Sequence, residues 1–104
     1  MLYELPMTSD PSQEFTCELN RVKYLFRVQL NVRGEVWTLD VNTSEDIPII
    51  TGLAMVMGVD LLASERFTKG MLFLVDYSGK GLDPTADNFG NYGLIWDDGN
   101  DRQR

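Results

Sequence analysis

From Val22 the chain alternates. Val22, Tyr24, Phe26, Val28, Leu30 and Val32 are apolar or aromatic, with Lys23, Arg27, Gln29 and Asn31 between them. This is the two-residue period of a strand with one buried face. Arg33-Gly34 breaks the run, and the alternation resumes with Trp37, Leu39 and Val41 on one side and Thr38, Asp40 and Asn42 on the other. The pattern predicts a β-hairpin from Val22 to Val41 around which the rest of the chain is organised. Upstream, Glu14 to Leu19 alternates in the same way, with Phe15, Cys17 and Leu19 on the apolar side. Asn20-Arg21 supplies a tight turn into the hairpin, so three strands form a meander. Leu2 to Leu5 reads as a short edge strand stopped by Pro6, followed by a polar loop from Thr8 to Gln13.

The second half is less regular. Thr43 to Asp46 is a polar, acidic connection, and the proline in Ile47-Pro48-Ile49-Ile50 marks a sheet edge or the start of a strand. Val59 to Phe67, VDLLASERF, predicts one short helix, with Asp60 as N-cap or first-turn acid and Thr68-Lys69-Gly70 ending it. At about two turns it needs packing to stand. Met71 to Tyr77 is a strand with Met71, Phe73, Val75 and Tyr77 on one side and Leu72 and Leu74 on the other; apolar on both faces, it belongs in the middle of a sheet. Ser78 to Gly93 is a long turn-rich loop. In it Asp83-Pro84 opens a turn, Asp87 and Asn88 satisfy backbone groups locally, Gly90 permits positive φ, and Phe89 pins the loop to the core. Leu94 to Trp96 makes a last short strand, and Asp97 to Arg104, with no apolar residue, reads as a disordered acidic tail. The expected fold is all-β: a small barrel or strongly curled antiparallel sheet of six or seven strands with one short helix, occupying residues 1–96.

Composition narrows the chemistry. The chain has 104 residues, enough for one core. Nine Lys plus Arg against sixteen Asp plus Glu give a net charge of −7, which disfavours nucleic-acid binding. Cys17 is the only cysteine and there is no histidine. An intramolecular disulfide, a multi-cysteine zinc site, Cys-His and Ser-His-Asp catalysis and histidine-ligated metals are all excluded. Cys17 reads as a small buried hydrophobe. The beginning, MLYELPMTSD, reads as no signal peptide, and the longest apolar run is too short to cross a membrane, so synthesis in the cytoplasm is expected. Gly79-Lys80-Gly81 lacks the leading glycine and the hydroxyl residue of a phosphate loop and reads as a turn. Neither Asp83-Asp87-Asn88 nor Asp97 to Asp101 offers the ligand spacing of a calcium loop. Asp76 is the one acid set in an apolar run, a setting that can raise a pKa, but it reads as an outward-facing strand residue. No catalytic, cofactor or metal residue is assigned.

Five stretches stand in an order that resembles a known family: GEVWTLDV (34–41), PIITG (48–52), MGVDLL (57–62), the strand MLFLVDY (71–77) and DPTADNFGN (83–91). They resemble the small baseplate plug proteins of contractile-tailed bacteriophages, over Leu5 to Trp96. The family's W-x-L-D is carried by Trp37, Leu39 and Asp40, its G-x-D-L-L by Gly58, Asp60, Leu61 and Leu62, and its P-T-x-D-N-(L/F)-G by Pro84, Thr85, Asp87, Asn88, Phe89 and Gly90. The resemblance implies a non-enzymatic virion protein of the tail baseplate, which helps close or organise the tube end before contraction. Its implied partners are the hub, tail-tube and spike proteins and, in the assembled baseplate, further copies of itself. The alternative from composition is a small acidic binding module that inhibits a host protein by mimicking nucleic-acid charge.

For the docking surface the sequence offers Leu53-Ala54-Met55-Val56-Met57, apolar at every position and hard to bury on both faces in a domain of this size. Leu53, Met55, Val56 and Met57 are the candidates, methionine suiting a surface that packs against irregular partners. A core strand is the competing reading of this run. The loop from Asp83 to Tyr92 is the second location, through Asp83, Phe89 and Tyr92.

Overall fold

Asn20 and Arg21 turn the chain with both residues at positive φ, 52° and 71°. This is the geometry of a two-residue type I′ loop, whose twist matches the strands it joins. The computed structural model describes residues 2–31, 33–62 and 70–98. Its strands are β1 (Leu2–Glu4), β2 (Ser12–Leu19), β3 (Val22–Asn31), β4 (Val36–Thr43), β5 (Pro48–Ala54), β6 (Met71–Asp76) and β7 (Tyr92–Asp97).

They form two antiparallel sheets, β2-β3-β4-β5 and β1-β7-β6. The hairpin read from the alternation is the centre of the first: Phe26 lies opposite Val41, Val28 opposite Leu39 and Leu30 opposite Trp37. Phe26, Val28, Leu39 and Val41 are fully buried. The second sheet contributes Leu72, Leu74, Leu94 and Trp96 to the same core cluster. Burying each such side chain stabilises the fold by roughly 1.5–3 kcal/mol, and this shared core is what holds the two layers together.

Four expectations need correction. The sheets do not close into a barrel. The chain leaves β5 by turning Met55 inward, its N–H donating to Trp37 O at 2.8 Å. The free edge of β6 is then met by a loop and not by a strand: Leu61 N–H donates to Leu72 O at 2.6 Å, and Asp60 Oδ1 accepts from Leu72 N–H at 3.0 Å. Secondly, β6 is an edge strand and β7 is central. Leu72 and Leu74 are buried, whereas Met71, Phe73 and Val75 on the other face are only half-buried. Thirdly, residues 59–62 of the predicted helix form a bend and a turn, and its remaining residues, 63–67, lie outside the described ones. The helical structure among the described residues is a 3-10 turn, Phe89–Asn91. Finally, the last strand runs past Trp96: Asp97 pairs with both Leu2 and Met71, and Asp97 and Asp98 are buried. Residues 99–104 of the expected tail lie outside the described ones.

Candidate interaction surface

Trp37 is the joint on which the loops are set. Its ring lies nearly parallel to Phe89, with centroids 3.6 Å apart and 6° between planes, and its Nε1–H donates to Thr85 O at 2.8 Å. Thr85 N–H donates in turn to Asn88 Oδ1 at 2.7 Å. One side chain of β4 therefore fixes the loop before β7, and Phe89 pins that loop as its sequence suggested. Tyr92 packs near Phe89, with centroids 6.2 Å apart, and its hydroxyl donates to Leu82 O. Burial, followed by the charges of Asp76 and Asp83, raises the Tyr92 pKa.

The acids serve the backbone. Asp40 Oδ1 accepts from Gly52 N–H at 2.7 Å where β5 slips register against β4. Gly52 sits there at φ +72°, a conformation glycine adopts without a Cβ penalty. Asp60 Oδ1 accepts from Leu62 and Leu72 N–H, both at 3.0 Å. Asp76 accepts from Ser78 N–H at 2.9 Å, Ser78 Oγ–H at 2.6 Å and Gly81 N–H at 2.9 Å. The Ser78 hydroxyl bond is the chief reason its carboxyl is held below the usual range, against an opposing effect of burial. These bonds outweigh the effect of its apolar neighbours in the strand. Gly79-Lys80-Gly81 belongs to the turn that the Asp76 bonds hold. This arrangement builds rigid loops.

The two segments named as docking candidates are neighbours. Met57 N–H donates to Asp83 Oδ1 at 2.8 Å. Their side chains divide, however. Met55 is 2% exposed and Phe89 also 2%, and with Tyr92 they are committed to the interior. Leu53, Val56 and Met57 are half-buried and Asp83 is exposed. Within the run Met55 follows the competing core reading, as a member of the core cluster, while Leu53 and Met57 pack against that cluster with part of their surface exposed. Beside Met57 opens a pocket of ≈ 330 Å³ lined by Met57, Gly58, Val59, Asp60, Met71, Phe73 and Leu74. Val59 and Leu82 are 47% and 65% exposed. The sequence pattern did not single them out, because an isolated apolar residue beside glycine carries no periodic signal. Among the described residues no group of acids and cysteine is placed to hold a metal ion, and no helix is long and apolar enough to cross a membrane.

A family model described as cyanophage baseplate Pam3 plug gp18 matches residues 2–100. The chain belongs to this family. No curated protein matches it. As a baseplate plug it is a structural component of the phage tail, located in the virion baseplate with its partners there. The geometry gives the motif residues a physical meaning in this plug. Trp37 of W-x-L-D holds Thr85 and Phe89 of the P-T-x-D-N-F-G loop, Asp40 of the same motif holds Gly52 of PIITG, and Asp60 of G-x-D-L-L holds the strand MLFLVDY. The Met57–Asp83 bond joins these two groups, so all five stretches are tied to one another.

Proposed function

We propose that this plug sits at the tube end of the baseplate, against hub, tail-tube and spike proteins and in repeated copies, and keeps the tube closed or organised until contraction. It works by shape and interface burial, without turnover. The observation that carries this reading is the use of the family's motif residues as joints between loops and sheets, which makes a rigid body of a small chain. We place its docking surface on Leu53, Val56, Met57 and Asp83, continuing over Val59 and the adjoining pocket.

The test pairs mass spectrometry of purified virions with two glutamate substitutions. Met57→Glu is expected to fold and to lose association with the neighbouring baseplate proteins. Met55→Glu is expected to lose the fold, because it places a charge where the side chain is 2% exposed. Absence of the chain from virions, with a free pool bound to a host nuclease or polymerase, would overturn the reading in favour of an acidic inhibitor.

A further inference from the structure

An edge strand offers a row of backbone N–H and C=O groups to any chain that can lie beside it. Among the described residues the two sheets have four edges, and three of them are blunted. β1 has only three residues. β6 has its Leu72 backbone bonded to Asp60 and Leu61. β5 begins with Pro48 and is interrupted at Gly52, whose N–H is held by Asp40. Among the described residues the β2 edge lacks such devices: it runs eight residues, SQEFTCEL, in unbroken register with β3 and without proline or glycine.

The type I′ turn fixes which of its backbone groups point outward. Leu19 and Val22 close a two-residue hairpin, so they form a hydrogen-bonded pair, and every second pair does the same: Cys17 with Tyr24, Phe15 with Phe26, Gln13 with Val28. The bond from Leu30 N–H to Pro11 O, at 2.9 Å, continues that parity. Glu14, Thr16 and Glu18 therefore turn their N–H and C=O away from β3, and all three residues are exposed. On the opposite face Phe15 and Cys17 are half-buried and pack against the core only in part.

The side chains say what fits. Glu14 and Glu18 flank Thr16; on β3 Glu14 faces Arg27, whose guanidinium it holds at 2.5 Å and shares with Asp46 at 3.6 Å, and Glu18 faces Lys23, so each glutamate has one cation on its inner side and its outer side turned to the open edge. A second copy of the chain brings the same glutamates and a further net charge of −7. Paired about Thr16, each Glu14 would face a Glu18, and like charges directly opposite are destabilising. We propose that the β2 edge receives an extended segment of a neighbouring baseplate protein. That segment carries Lys or Arg four residues apart, opposite Glu14 and Glu18, and apolar side chains between them that cover Phe15 and Cys17. The proposal rests on the baseplate reading above.

Thr16→Pro removes the outward N–H and leaves the inward ladder intact, so the free chain keeps its melting temperature. Its incorporation into particles of the encoding phage is expected to fall by about tenfold relative to wild type. Benzoylphenylalanine in place of Thr16 is expected to cross-link, in assembled particles, to a Lys- or Arg-bearing segment of another baseplate protein. If Thr16→Pro lowers the melting temperature, Glu18→Lys decides in its place, with the same loss of incorporation expected from a folded chain. Cross-linking only to a second copy, or none, overturns the proposal, as does wild-type incorporation of the folded variant. If the wild-type chain itself is missing from particles, the baseplate reading fails; if it is present and the variants enter equally well, only the edge proposal fails.

Discussion

At Gly70 a side chain has nowhere to go. A Cβ there would stand 2.3 Å from Asp97 O and 3.1 Å from Trp96 Nε1, and the backbone sits at φ +104°. Strain and overlap act together, so Gly70→Ala is expected to cost about 3–5 kcal/mol, measured as a fall in the denaturant midpoint at unchanged slope. The sequence showed this glycine only as a helix terminator, because the atoms that forbid a Cβ belong to a strand far along the chain. Cys17 gives a residue-level prediction of another kind. Burial pushes its thiol from an ordinary 9.0 up to about 12. In the unfolded chain the thiol ionises first, so its contribution to stability is complete below about pH 9 and is lost as pH climbs toward 12. Tyr24 and Tyr92, also raised chiefly by burial, act in the same direction. Denaturation curves across the alkaline range should fall less steeply for Cys17→Ala than for wild type; equal slopes would assign the whole effect to the tyrosines.

Between elements, the decisive contacts are single carboxylates reaching across to another strand. Asp60 holds Leu62 and Leu72 N–H at once, so Asp60→Ala orphans two donors beside buried leucines. A loss of about 2–4 kcal/mol is expected, with amide exchange accelerated first at Leu62 and Leu72. Uniform acceleration over both sheets would show instead that the β6 edge opens only with global unfolding. The strands were legible because each alternates or carries a turn at its end: β2, β3 and β4 follow from their period, and the Asn20-Arg21 turn from its residue types. Their assembly was less legible. β6 reads as a central strand because both faces are apolar, yet it is an edge whose second face, Met71, Phe73 and Val75, stays half-covered. Period reports how many faces avoid water, and says nothing about which neighbour covers them. Closure failed for a related reason: whether Asp60 or a strand meets the edge of β6 depends on where a loop folds back. The same holds for the docking candidates. Leu53 to Met57 shows an apolar run, but only the bond from Met55 N–H to Trp37 O turns one methionine inward and leaves the next near the surface.

For the molecule as a whole, the chain's end completes the smaller sheet. β7 is its central strand, so the C-terminal strand holds β1 in place, and its last pairs join Asp97 to Leu2 on one side and Met71 on the other. Asp98, 4% exposed, adds its charge and a hydrogen bond to the effects, led by burial, that raise the Tyr3 pKa; Tyr3 in turn stacks on Trp96 at 5.4 Å. Two truncations therefore separate what the tail's composition alone would treat as one segment. Removing residues 99–104 takes away no apolar side chain and should change stability by less than about 1 kcal/mol. Removing Asp97 and Asp98 as well strips a pair from both neighbours of β7 and uncovers the Tyr3–Trp96 stack. A loss of roughly 2–3 kcal/mol is expected from the broken backbone bonds and exposed aromatic surface. Chemical denaturation of the two truncated chains, followed by tryptophan fluorescence because Trp96 lies at the site, distinguishes them. Coincident midpoints would mean that Asp97 and Asp98 contribute nothing to the fold. Were only the shorter truncation to leave the fold intact yet fail to enter virions, residues 99–104 would be identified as part of the contact with a baseplate neighbour, since a purely structural loss would have appeared in the free chain first.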